Sequence, residues 1–85
     1  MTIRIRYFAA LRESFGIEEE SIERPEGVET VAALRRWLCA REGVWAEQLA
    51  EHRPVRVAVR QRMVNGDALL EDDVELAFFP PVTGG

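Results

Sequence analysis

Between residues 2 and 8 apolar and polar side chains alternate, with Ile3, Ile5 and Tyr7 on one side and Arg4, Arg6 and Phe8 on the other. A period of two predicts a half-buried strand. Ala9 to Phe15 has helix-forming composition before Gly16 breaks it, so a short helical turn is expected. Ile17 to Arg24 holds only Ile17 and Ile22 as large apolar residues and is closed by Pro25-Glu26-Gly27, which predicts a short, exposed second strand. The clearest helix follows. Thr30 is a good N-cap, Val31, Leu34, Trp37 and Leu38 recur at helical spacing, and Gly43 marks the expected end. Val44 to Glu51 predicts a further short helix through Trp45 and Leu49, stopped by Pro54. Val55, Val57 and Val59 alternate with Arg56, Ala58 and Arg60 as a third strand. Asn65-Gly66 is a turn signal, behind which Leu69-Leu70 leaves a scrap of strand. Val74, Leu76 and Phe78 alternate with Glu75, Ala77 and Phe79 in a last strand that the two prolines terminate.

This order predicts an α+β fold, a mixed sheet of four to five strands with one main helix packed across one face. The inner face collects Ile3, Ile5, Tyr7, Val55, Val57, Val59, Leu76 and Phe78 against Val31, Leu34 and Leu38. The outer face presents Arg4, Arg6, Arg56, Arg60 and Phe79. Residues 1–79 form the expected domain and residues 80–85 a projecting tail.

At 85 residues the chain is one domain, with little room for an enclosed active site of its own. An apolar share of 47% with 31% charged residues is that of an ordinary globular domain, and no apolar run reaches the length of a membrane span. The N-terminus lacks a signal-peptide layout, and the single Cys39 agrees with a reducing compartment, so the expected location is cytoplasmic. A net charge of −4 argues against a general nucleic-acid binder. Charge is unevenly spread: Glu18, Glu19, Glu20, Glu23, Glu26 and Glu29 crowd one stretch, read as a solvated edge, and Arg53, Arg56, Arg60 and Arg62 crowd another. All 11 basic residues are arginine, so copies of this chain cannot be joined through a lysine side chain. Cys39, without a second cysteine, reads as packing, His52 as a surface loop residue, and Trp37 and Trp45 as core or helix-edge packing. No metal site, phosphate-binding glycine loop or catalytic triad spacing is present in the sequence.

The candidate chemistry lies in the ending. Pro80-Pro81 removes two backbone donors and fixes two φ angles, so the last strand cannot continue and the tail leaves as a semi-rigid rod. Gly84-Gly85 carries no Cβ and fits a slot too narrow for other residues, placing the α-carboxylate within reach of another protein's active site. Phe79 lies opposite in parity to Leu76 and Phe78, which predicts an aromatic on the outer face beside the tail's exit, a natural interface anchor.

The ending Ala77-Phe78-Phe79-Pro80-Pro81-Val82-Thr83-Gly84-Gly85, the opening Tyr7-Phe8-Ala9-Ala10-Leu11-Arg12-Glu13 and the helix start Thr30-Val31-Ala32-Ala33-Leu34 together resemble the small subunits of molybdopterin synthase, a family of ubiquitin-like sulfur carriers. The resemblance covers essentially the whole chain and implies a β-grasp fold. It further implies that an adenylating (E1-like) enzyme uses ATP to join the Gly85 carboxylate to AMP, and that sulfur supplied through a cysteine desulfurase converts it to a thiocarboxylate. The large synthase subunit then receives the tail, Pro80, Pro81, Val82, Thr83 and Gly84 threading toward its pocket. There sulfur passes to precursor Z (cyclic pyranopterin monophosphate) for molybdenum cofactor biosynthesis. Phe79, Arg12 and Met63 are the residues that the resemblance places against the large subunit. The small subunit is implied to be non-catalytic by itself, without a permanently bound cofactor, and two copies are implied to flank a dimer of large subunits.

Three positions depart from the family pattern. Asp73 stands where the turn before the last strand usually has glycine, Val74 where an acidic residue is usual, and Arg60 where asparagine is common in the third strand. Aspartate tolerates a left-handed conformation better than most residues, so the turn is expected to survive. Two other functions compete: a ubiquitin-like modifier conjugated to target lysines through Gly85, and a sulfur carrier for thiamine or tRNA thiolation.

Overall fold

The computed structural model describes residues 1–80; the expectations placed on Pro81, Val82, Thr83, Gly84 and Gly85 lie outside the described residues. The elements run β1 (Thr2–Tyr7), α1 (Ala9–Phe15), β2 (Glu19–Glu23), α2 (Val31–Cys39), α3 (Val44–Gln48), β3 (Arg56–Val59), β4 (Arg62–Val64) and β5 (Glu75–Phe79). The strands form one sheet in the order β2-β1-β5-β3-β4. First and last strands pair in parallel at its centre, Ile5 opposite Leu76 and Tyr7 opposite Phe78, while every other pairing is antiparallel. This is the mixed sheet of a β-grasp fold.

Alternation in β1 and β5 works as expected: Ile3, Ile5, Tyr7, Leu76 and Phe78 are all essentially inaccessible and meet Val31, Leu34 and Leu38 of α2. Thr30 caps α2, its Oγ1 accepting from the Ala33 N–H at 3.1 Å. The helix ends earlier than Gly43, at Cys39 with Ala40 as its cap. Glu42 and Gly43 both adopt positive φ in the reversal, and Gly43 is the N-cap of α3, so the glycine marks the next helix's start.

The hairpin of the third strand also differs. Its turn is Arg60-Gln61, with φ of 50° and 69°, followed by β4, which the sequence pattern does not reveal. Two successive positive φ angles describe the two-residue turn that matches strand twist, usually filled by Asn-Gly. Arg60 therefore lies in a turn and not in the strand. Asn65-Gly66 makes a later turn, where the Gly66 carbonyl accepts from the Ala32 N–H at 2.8 Å and the Ala68 carbonyl accepts from the Val31 N–H at 3.0 Å. The segment thus satisfies donors at the start of α2. A Cβ on Gly66 would lie 3.1 Å from that of Ala32, a close approach that favours glycine. Leu69 forms only an isolated bridge to Thr30. Asp73 does take the left-handed conformation, φ 55°.

The inner face is incompletely covered on one side. Val55 and Val59 are half-buried, whereas Ala58, on the outer face, is 6% exposed. Beneath α2 the sheet is covered at β1 and β5; toward β3 and β4 a groove remains between the helix and the strands.

Candidate functional site: the outer face at the end of the last strand

Two outer-face rows frame the end of β5. One runs Met63, Ala58, Ala77, Arg6, Glu19 across all five strands; the next pairs Arg56 with Phe79. Ala58 and Ala77 are small, so the sheet forms a low floor there, bordered by Arg6, Phe8, Arg60, Gln61 and Phe79 around a shallow cavity of about 190 Å³. Phe79 is half-buried and not fully open, because its ring stacks on that of Phe8 with centroids 4.8 Å apart and planes 8° from parallel. The Phe8 N–H donates to the Phe78 carbonyl at 3.2 Å, joining the ends of β1 and β5. Arg6 sits 5.3 Å from the centre of the Phe8 ring, so the aromatic pair has a cation on one side. Phe8 is the member of this platform that sequence reasoning left out. Its signal was its position on the same outer parity as Arg6.

Pro80 follows directly and lies half-buried in a notch with Leu11, Gln48, Arg53, Pro54 and Val55. Pro80 therefore sits between α1, α3 and the segment preceding β3. Met63 is 59% exposed at the β4 end of the row. Arg12 is exposed on α1, one turn beyond Phe8, and outside the Met63–Ala58–Ala77 row. The structure brings Phe79 together with Phe8, links Met63 to them through the alanine floor, and does not join Arg12 to that floor.

The outer-face arginines are mostly neutralised by neighbouring strands and loops. Arg4 pairs with Glu75 at 3.5 Å, Arg6 with Glu19 at 3.7 Å and Arg60 with Glu71 at 3.4 Å. Exposed pairs of this kind each stabilise by only about 0–1 kcal/mol. Arg56 has no ion pair among the described residues.

The acidic stretch is not only a solvated edge. Glu20 accepts from the Tyr7 hydroxyl at 2.7 Å and from both terminal nitrogens of Arg41 at 2.8 and 2.9 Å. Arg41 in turn lies over Trp45, 4.4 Å from the ring centroid, and Trp45 stacks on Phe15 at 3.9 Å. Burial alone would raise the Glu20 pKa, but the hydrogen bonds from Arg41 and Tyr7 and the Arg41 charge outweigh it and leave the carboxyl below its ordinary range. The Tyr7 hydroxyl is pushed far above its usual value, first by burial and then by Glu20. A core tyrosine needs such a partner, and Glu20 supplies it while tying the edge strand β2 to the α2–α3 loop.

Cys39 packs against the core, its thiol donating to the Leu49 carbonyl at 3.2 Å; burial raises its pKa, against the nearby Arg35 charge. Trp37 and Trp45 pack at the core's margin and His52 is exposed. No helix among the described residues is long and apolar enough to cross a membrane.

Residues 5–85 match the model of the ThiS family. The chain belongs to the ThiS family. It is 40% identical over 98% of its length to the molybdopterin synthase sulfur carrier subunit of Escherichia coli and 32% identical, over the same share, to the subunit of that name from Haemophilus influenzae; 99% of each relative is covered. A solved Pyrococcus furiosus chain provisionally described as molybdopterin converting factor subunit 1 is 33% identical and superposes with a TM-score of 0.77, covering 96% of this chain and 99% of that one. The resemblance to molybdopterin synthase small subunits and the β-grasp fold expected from it both hold. Within this ThiS-family fold, the stacked Phe8–Phe79 pair stands at the end of the last strand.

Proposed function

We propose that the chain is the sulfur carrier subunit of a cytoplasmic molybdopterin synthase and acts through the C-terminal carboxyl of Gly85. The observation that supports this most is the 40% identity, spread over nearly the whole chain, to a relative of that name. The geometry agrees. The central strand β5 ends at Phe79, Pro80 follows beside an aromatic platform, and a contiguous apolar core lies beneath.

A carboxylate is a poor electrophile, since its charge is delocalised over two oxygens. Attack of that carboxylate on the α-phosphorus of ATP, in a partner adenylating enzyme, releases pyrophosphate and leaves a mixed anhydride with AMP as its leaving group. A persulfide supplied through a cysteine desulfurase displaces AMP to give an acyl disulfide, which a thiol reductant cleaves to leave the thiocarboxylate. The tip is then a nucleophile on a tether, and docking turns its meeting with the substrate into a local reaction. Six residues from Pro80 to Gly85 span at most about 20 Å when extended, enough to thread a pocket in a neighbouring subunit. The large subunit holds the substrate, precursor Z, and the catalytic groups; this chain supplies sulfur, needs no bound cofactor, and docks by the face bearing Phe8, Phe79 and Met63, with Arg12 at its margin.

Reconstitution tests the reading. Sulfur-loaded protein mixed with the large subunit and precursor Z is expected to yield the dithiolene of molybdopterin. No dithiolene, with sulfur accepted instead by a tRNA- or thiamine-pathway enzyme, would reassign the pathway.

A further inference from the structure

Between them α2 and the β3–β4 hairpin leave a groove of about 560 Å³, whose rim reaches the outer face at Arg56, the neighbour of Phe79, and at Met63. That volume falls among those of clefts that hold ligands, about 300–1,000 Å³. Its floor is apolar: Val31 and Cys39 from the helix, Val55, Val57 and Val64 from the strand side, and Leu49 at one end. Ala32, Arg35, Arg36 and Cys39 follow the helical spacing of a single stripe, so α2 turns a second face, besides its core face, toward this space. The core explains Val31, Leu34 and Leu38; it does not explain why the inner face of β3 and β4 is left half-covered.

The border is basic in a chain of net negative charge. Arg35, Arg36 and Arg56 line the groove against Glu51 alone. Arg35 is structurally engaged, donating to the carbonyls of Leu49, Ala50 and Arg53, but keeps its charge at the wall. Arg36 is exposed and makes only a long ion pair with Glu51, 3.8 Å, and Arg56 has no ion pair among the described residues. An apolar floor with two available cations at its rim is complementary to a short segment of aliphatic residues flanked by carboxylates.

We propose that this groove is a further docking site, which takes an acidic-flanked aliphatic segment of a partner protein. Aliphatic side chains cover Val57, Val64 and Val31, and flanking carboxylates take over Arg36 from Glu51 and engage Arg56.

The test uses the full chain, isotope-labelled, with a synthetic peptide of Val-Ile-Leu flanked by glutamates and its lysine-flanked counterpart. Expected are saturable amide shifts at Val31, Ala32, Val57 and Val64 with the glutamate peptide only, and a several-fold slower alkylation of Cys39 in its presence. Arg36→Gln combined with Arg56→Gln is expected to weaken binding about tenfold, with the amide spectrum of the unbound variant confirming the fold. Equal response to both peptides, no saturable shift from either, or shifts confined to other surfaces would overturn the proposal. Concentration-dependent broadening of the same amides without peptide would overturn it too, assigning the groove to a second copy, whose acidic β2 edge would be the occupant.

Discussion

Phe8 at the end of the first strand and Phe79 at the end of the last stack face to face, 4.8 Å between centroids, at the point where the chain leaves the sheet. Parallel pairing of β1 with β5 makes this possible, since it brings the two strand ends to the same edge of the sheet. The pair joins the end of β5 to a shallow cavity whose floor is Ala58 and Ala77 and whose border is largely charged and polar. Removing either ring is therefore expected to act on docking more than on folding. Phe79→Ala and Phe8→Ala should each weaken binding to the large subunit at least tenfold, as aromatic anchors at interface centres commonly do. Calorimetric titration gives the affinity and a thermal melt the folding control; unchanged affinity in both variants would remove the platform from the interface.

The Glu20 cluster gives a prediction about pH. A carboxyl whose folded pKa lies below its unfolded value stabilises the fold above the unfolded pKa, and that contribution is lost as pH falls through the folded one. For Glu20 the window begins at the ordinary carboxylate range and extends below it. Glu20→Gln should cost about 1–3 kcal/mol at neutral pH, since the Arg41 charge and the Tyr7 hydroxyl lose their ionised acceptor. The variant's urea midpoint should also fall less steeply on acidification than that of the parent. Parallel pH profiles would show that Glu20 contributes nothing through its charge.

Arg60-Gln61 holds two side chains in a conformation that suits Asn-Gly. Replacing the pair by Asn-Gly should relieve about 1–2 kcal/mol of backbone strain and raise the melting temperature by several degrees. A lower melting temperature would show that Arg60, through Glu71, contributes more than its turn geometry costs.

Gly66→Ala tests the contact between the β4–β5 connection and the start of α2. The added methyl would meet Ala32 at 3.1 Å. The two backbone hydrogen bonds to Ala32 and Val31 should loosen, destabilising the fold by about 1–3 kcal/mol and exposing those amides to faster hydrogen exchange. Unaltered exchange would mean that the connection shifts to accommodate it.

Much of this was legible in the sequence because alternation and helical spacing record burial directly. Ile3, Ile5 and Tyr7, Leu76 and Phe78, and the Val31–Leu34–Leu38 stripe all lie where their periods put them. The misses have two causes: Glu20 and Phe8 depend on contacts distant in sequence, whereas the β3–β4 hairpin is local but lacks a legible signal. β4 is three residues long with an exposed Met63, too short to show a period, and its hairpin uses Arg60-Gln61 while the conspicuous Asn-Gly turn serves the helix start. Glu20 looked like one more solvated carboxylate, and only the register of β2 on β1 places it beside the Tyr7 hydroxyl. Phe8 looked like an outward strand residue until the parallel pairing put Phe79 beside it.

The central claim is that Gly85 carries sulfur as an acyl group. Incubation of the full chain with its adenylating enzyme, ATP and a desulfurase-derived sulfur source, followed by intact-mass and fragment-ion measurement, tests it most directly. The account predicts a mass gain equal to exchange of one oxygen for sulfur, localised to Gly85 and absent when Gly85 is deleted. An unchanged mass, or Gly85 found only in isopeptide linkage to lysines of other proteins, would contradict it.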